Sequence, residues 1–239
     1  MSAMDKILGR SRSSSEGGET GQWMSVSDLM AGLMVVFLFV AITLMRHAMI
    51  ERDKIKEVAV AYQENQVAIY NELVSEFKSD LAPWDAEVDQ KTLSFDFKSP
   101  DVLFETGEIH LRPRFQEILR DFFPRYMKVL SSFQDSIDEI RIEGHTSSVW
   151  NRKTDPEKAY FLNMWLSQGR TRSVLQYVYS LPEVQDKKQW ITKFIAAVGY
   201  SSSRPKLTAE GLEDRNASRR VSFRVITNAD TQIRKILEE

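Results

Sequence analysis

From Ser25 to Met45 the chain runs for roughly twenty residues with one charged side chain, Asp28. A helix rises about 1.5 Å per residue, so the run matches one hydrocarbon thickness of a bilayer. It reads as a transmembrane helix over 25–46. A cleaved signal peptide is the competing reading, but the preceding tail is not strongly basic and no small-x-small cleavage site precedes a new domain.

The flanks do not orient this helix. Lys6, Arg10 and Arg12 stand on one side and Arg46, Arg52, Lys54 and Lys56 on the other, a near balance under the positive-inside rule. Residues 1–24 are polar, with Gly, Ser and mixed charges, and are expected to form a flexible tail.

Two readings of Asp28 stand from the residues alone. As a helix cap with Ser25 and Ser27, its carboxylate would sit in the headgroup region at the positive end of the helix dipole. As a carboxyl held among partner helices, it would load and release a proton within the membrane. Ala31 and Gly32 beside it leave room for close helix approach.

Residues 47–82 form a helical linker: no Gly or Pro interrupts Ile50 to Leu81, and Ile55, Ala59, Tyr62, Gln66, Ile69, Leu73 and Phe77 share one stripe. The expectation is self-pairing of two copies along that stripe; packing on the downstream domain is the alternative.

Pro83-Trp84 ends the linker, and a compact domain is expected over 83–228, followed by a short tail at 229–239. Thr92–Phe97, Ile137–Glu143 and Val221–Ile226 alternate as strands, and Phe194–Val198 is a short apolar run. Helical spacing marks Pro113 to Leu130, where Pro124 predicts a kink or an end. Asp155 is placed to cap a long helix through about Ser180. Strands separated by helices predict an α/β sandwich.

Composition narrows function by exclusion. The formal net charge of -2 argues against a domain that neutralises many phosphates, so no nucleic-acid partner is expected. The chain has no Cys, and its three histidines lie far apart in sequence, so no metal or cofactor site is expected. No nucleophile, acid and base fall at usable spacing, which argues against an enzyme. His145 reads as a structural or exposed histidine rather than a metal ligand. Arg219 and Arg220 read as a strand edge or as partners of Glu143.

Three segments carry a resemblance: Ile140-Arg-Ile-Glu-Gly144-His145-Thr146, Leu162-Asn163-Met-Trp-Leu166-Ser167-Gln-Gly-Arg170, and Gly199-Tyr200 through Arg219-Arg220-Val221-Ser-Phe223. Their order and spacing resemble an OmpA-like peptidoglycan-binding domain over about residues 90–226. Behind one membrane helix with an early Asp and a helical linker, that domain resembles a MotB-type stator subunit. The Ser27-Asp28-Leu-Met-Ala-Gly32 details are more similar to the stator-like subunits of Zorya anti-phage systems.

The resemblance implies an OmpA-like α/β sandwich with a mixed sheet, a cytoplasmic N-terminus and a periplasmic domain in the bacterial inner membrane. It implies a homodimer inside a pentamer of larger MotA-like, ZorA-type membrane subunits, a 5:2 complex in which Asp28 carries protons. It also implies a peptidoglycan stem site at Thr146, Ser147, Leu162, Asn163, Leu166 and Arg170, with the Arg170 guanidinium on a diaminopimelate carboxylate. Ser147 stands where the family has an Asp for the ligand amine, and Leu162 where it has a Tyr. A passive membrane-to-wall tether and a flagellar stator are the alternative functions.

Overall fold

The computed structural model describes residues 17–98 and 100–228; the tail expected at 229–239 and the first part of the one expected at 1–24 lie outside them. The chain divides into two units, one ending at Lys54 and one beginning at Ile55.

Helix α1 spans Gly17–Phe77. Its start precedes the expected boundary at residue 25, because a formed helix adds one hydrogen bond for each further residue ordered, a far smaller cost than nucleating a turn. In the first unit every side chain from Val26 to Lys54 is exposed, among them Leu29, Leu33, Phe37 and Phe39. The helix is apolar on all sides here, with a mean hydropathy of 2.4 over its most apolar window, and is long enough to cross a membrane.

The second unit is built on five strands: β1 (Ala86–Asp89), β2 (Ser94–Phe97), β3 (Ile137–His145), β4 (Ile195–Gly199) and β5 (Arg220–Thr227). Their order in the sheet is β1-β2-β5-β3-β4, with β3 and β4 parallel and every other pair antiparallel. This is the expected α/β architecture with a mixed sheet. Strand β1, preceded by Asp85 at φ 48°, alternates as Ala-Glu-Val-Asp but is only four residues long, too short a pattern for the sequence to announce it.

Helices α2 (Pro100–Leu103), α3 (Pro113–Ser131), α4 (Pro156–Ser180), α5 (Lys188–Phe194) and α6 (Arg215–Ser218) complete the unit. Helix α3 continues through Pro124, where the sequence predicts a kink or an end. Phe122 and Phe123 before the proline and Tyr126, Met127 and Leu130 after it are all buried, and their packing outweighs a penalty of about 3 kcal/mol. Helix α4 matches expectation: Asp155 accepts from the Glu157 and Lys158 amides at its start, and it ends before Pro182.

The core is aromatic. Phe122 lies 4.6 Å from Phe95, 5.0 Å from Phe97 and 5.1 Å from Phe223, centroid to centroid. Phe77 joins them, 5.2 Å from both Phe95 and Phe122. Ile69, Leu73 and Phe77, three members of the stripe expected to pair with a second copy, are fully buried in this core. The last turns of α1 therefore belong to the compact unit rather than to a free linker. Gln66 marks the join, donating its side-chain amide to the Gln90 and Lys91 carbonyls.

The opposite face of the sheet is polar yet covered. Asp96, Glu143, His145 and Ser222 are buried there beneath the chain that follows β4. Tyr200 stacks on His145 at 5.4 Å, the Arg204 guanidinium lies 3.6 Å from the Tyr200 ring centroid, and Lys206 reaches to 3.5 Å from Asp96. That cover explains why β2, expected to be half-buried, is buried throughout.

Candidate functional site

Asp28 lies about three turns inside α1. A capping side chain works at the first turn, where amides lack intrahelical acceptors, so this position is not a cap of α1. The carboxylate stands in the helix interior, flanked by Leu29 and Met30, with Ala31 and Gly32 following.

The second site forms where the β3 end meets α4. A groove of about 260 Å³ is lined by Thr106, Gly107, Thr146, Ser147, Val149, Trp150, Asn163, Leu166, Arg170 and Arg219. It brings together Thr146, Ser147, Asn163, Leu166 and Arg170 from the expected set. Leu162 is half-buried on α4 and is not among the lining residues.

Close approach of α4 to the sheet sets the groove's floor. Gly144 and Gly199 are register partners on β3 and β4. A Cβ at Gly144 would meet the Ser167 carbonyl oxygen at 2.7 Å, and one at Gly199 would meet the Gln168 amide nitrogen at 2.5 Å. Only glycine lets the two strand ends lie this close to the helix backbone. Ser201, at φ 51°, donates its hydroxyl to the Tyr160 carbonyl, while its amide donates to Ser167 Oγ and its own carbonyl accepts from the Thr146 amide. The loops after β3 and β4 are thus tied to each other and to α4.

Asn163 and Arg170, two turns apart on α4, fix the two walls. Asn163, 3% exposed, donates its side-chain amide to the Ser147 carbonyl at 3.1 Å. Arg170, 9% exposed, donates from Nε to the Glu108 carbonyl at 2.9 Å and from Nη2 to the Glu105 carbonyl at 3.1 Å. Its guanidinium lies 4.7 Å from the Phe104 ring centroid. The loop between α2 and α3 therefore orients Arg170 before any ligand arrives.

Thr106, Gly107, Val149, Trp150 and Arg219 complete the lining, and the sequence reading did not assign them to the site. Arg219 was visible in the Arg219-Arg220 pair, but the two diverge. Arg219 faces the groove, whereas Arg220 turns to the polar sheet face, with Nε 3.7 Å from Asp96.

Behind the groove, Glu143 Oε2 lies 3.3 Å from His145 Nε2 and 3.5 Å from Arg204, and Oε1 lies 3.8 Å from Arg224. Burial pushes the Glu143 carboxyl upward, but His145, Arg224 and Arg204 outweigh it and hold the group below the usual range. Burial, aided by the Arg220 charge and opposed by Glu143, holds the His145 imidazole below its usual value. His145 is buried between Glu143 and the Tyr200 ring; no cluster of three potential metal ligands occurs among the described residues.

No family model matches the chain. It is 56% identical over 236 residues to the Zorya protein ZorB of Escherichia coli, a match covering 99% of this chain and all of that protein. Among solved structures it is similar to a putative MotB-like protein from Desulfovibrio vulgaris, with 20% identity, 74% of this chain and 94% of that one covered, and a TM-score of 0.45. For the cell wall anchor of the T6SS from Pseudomonas aeruginosa, identity is 21%, coverage 65% and 96%, and the TM-score 0.44. For the periplasmic domain of Helicobacter pylori MotB, identity is 18%, coverage 64% and 88%, and the TM-score 0.42. The near full-length relationship to the Escherichia coli protein establishes that this chain belongs to the ZorB family.

Proposed function

We propose that this chain is the stator-like subunit of a proton-driven motor complex in anti-phage defence. Helix α1 crosses the inner membrane once, with the N-terminus in the cytoplasm and the second unit in the periplasm. Two copies sit within five larger MotA-like, ZorA-type membrane subunits. The proton passes by way of Asp28, and the periplasmic unit holds peptidoglycan stems in the groove lined by Thr146, Ser147, Asn163, Leu166 and Arg170, with Leu162 behind it.

The observation that carries this reading is the position of Asp28. It is the single charged side chain from Ser25 to Met45, and it lies in the helix interior, where no capping duty accounts for it. A carboxylate in such a setting is retained at a cost of a few kcal/mol, about 2.5–3.5 at a bilayer centre. Proton transfer through it draws about 2.3 kcal/mol per 100 mV of membrane potential. Two such groups inside a five-fold ring face unequal neighbours, a mismatch that favours alternate titration.

Asp28→Asn keeps the shape and removes the titration. Cells carrying this variant are expected to lose phage protection while the complex still assembles and purifies intact. Full protection would overturn the proton-carrying role and leave a passive membrane-to-wall tether.

A further inference from the structure

From Ile55 to Ala68 no residue of α1 is buried, whereas Ile69, Leu73 and Phe77 beyond it sit in the core. About four turns of the helix therefore keep an open flank. Along one side of them runs a cleft of about 270 Å³. Val58, Ala61, Tyr62 and Asn65 form its α1 wall, and Ser136, Thr227 and Asn228 are among the residues opposite. Val58, Ala61 and Asn65 fall at i, i+3 and i+7 on one helix face, with Ala61 exposed and Tyr62 38% exposed beside them.

The chain leaves the sheet at this cleft. Asn228, the first residue after β5, is held there: its amide donates to the Ser136 carbonyl at 3.0 Å and its side-chain amide to the Asp135 carbonyl at 2.7 Å. Asn65 donates its own side-chain amide to Ser136 Oγ at 3.2 Å, so one loop fixes both α1 and the point of exit.

Eleven residues follow, Ala229 to Glu239. As a helix they would span about 16 Å, and α1 from Asn65 back to Ile55 covers about 15 Å. In the other direction α1 is already covered, because Ile69, Leu73 and Phe77 are fully buried. Ile233, Ile236 and Leu237 stand at i, i+3 and i+4, one apolar face, while Asp230, Arg234, Lys235, Glu238 and Glu239 supply charge elsewhere. Equal rises counted from Asn228 and Asn65 bring Ile233 near the level of Ala61, and Ile236 and Leu237 near that of Val58.

We propose that residues 229–239 dock in this cleft as a helix antiparallel to α1, with Ile233, Ile236 and Leu237 against Val58, Ala61 and Tyr62. A helix this short is marginal alone in water. Its tether at Asn228 offsets that, since a short connection holds a segment at an effective concentration in the millimolar range. The docked segment closes the open flank and extends the supported part of α1 from Ile69 back to Val58. A second copy of the chain is the rival occupant.

The chain has no Cys, so paired cysteines can be introduced into the full chain in detergent micelles and joined with a short bis-maleimide. Ala61→Cys with Ile233→Cys is expected to give a cross-link within one chain. Val60→Cys with Ile233→Cys, on the opposite side of α1, is expected to give less than about a tenth as much. A product of twice the chain mass from Ala61→Cys alone overturns the proposal and seats a second copy in the cleft. Equal yields from the two pairs, or none from either, overturn it as well. Trypsin supplies a second measurement with the segment's own sequence untouched. Val58→Asp with Ala61→Asp is expected to speed cleavage after Arg234 and Lys235 about tenfold, because cleavage follows the population of the undocked state. Val60→Asp should leave the rate unchanged; equal rates in all three chains overturn the docking.

Discussion

The side-chain amide of Asn163 donates to the carbonyl of Ser147 at 3.1 Å, and this bond joins α4 to the loop that shapes one wall of the groove. Both partners are buried, so the bond is made without competition from water.

Asn163→Ala removes the donor and strands a buried carbonyl. The expected cost is about 1–3 kcal/mol in thermal or urea unfolding. The loss should appear together with weaker retention of the chain on insoluble peptidoglycan, because the same bond positions Ser147 and Thr146.

The paired strand-end glycines give a sharper steric test. Gly144→Ala and Gly199→Ala each place a Cβ within 2.7 Å and 2.5 Å of α4 backbone atoms, which a side-chain rotation cannot relieve. Each substitution is expected to destabilise the second unit by about 1–3 kcal/mol. Gly32→Ala meets nothing within 4 Å in this chain. It should leave the melting temperature unchanged and reduce co-purification with the membrane partner, since small residues set how closely membrane helices approach.

The sequence exposes these elements unequally. Strands β2, β3 and β5 alternate, and α4 carries both its Asp155 cap and its Pro182 stop, so local pattern was enough to place them. Strand β1 alternates too, as Ala-Glu-Val-Asp, but four half-buried residues paired with β2 alone are too short a pattern to mark a strand. The continuation of α3 past Pro124 depends on tertiary burial of Tyr126, Met127 and Leu130. In the groove, Asn163, Leu166 and Arg170 are legible because one helix face carries them. Thr106, Gly107 and Trp150 come from loops distant in sequence, and only folding brings them there. The division of Arg219 and Arg220 between groove and polar sheet face follows from where β5 begins, one residue after Arg219.

The buried pair behind the groove makes stability depend on pH in a definite direction. Glu143 is held below its ordinary value of 4.5, so it contributes stability that is present above that value and lost as pH falls through its folded value. His145 is held below 6.5, so below that pH the unfolded chain binds its proton first and stability falls. Both effects make acid destabilising, beginning near 6.5 and steepening below 4.5. Melting temperatures measured downward from neutral pH should follow this course. His145→Asn should flatten the upper part of the decline and leave the lower part; an unchanged upper decline would assign it to other groups.

The end of α1 decides where an independently folding fragment begins. Ile69, Leu73 and Phe77 are fully buried against the domain, and Phe77 packs on Phe95 and Phe122. A fragment starting at residue 83, where the sequence suggests the domain opens, lacks all three side chains. Each large buried side chain is worth several kcal/mol, and Phe77→Ala alone is expected to cost about 3–5 kcal/mol. With net stabilities of about 5–15 kcal/mol, the loss of all three exceeds what such a unit can absorb. The fragment from 83 is therefore expected to show no cooperative melt, whereas one from 55 should melt in a single transition. Arg125 adds a second reason: it bonds Glu76 at 2.7 Å and Asp80 at 2.9 Å, and lies 4.6 Å from the Phe77 ring centroid, so it joins α3 to this same stretch. A cooperative melt for the shorter fragment would mean that the last turns of α1 pack on the domain without supporting it, and would return them to the role of a linker.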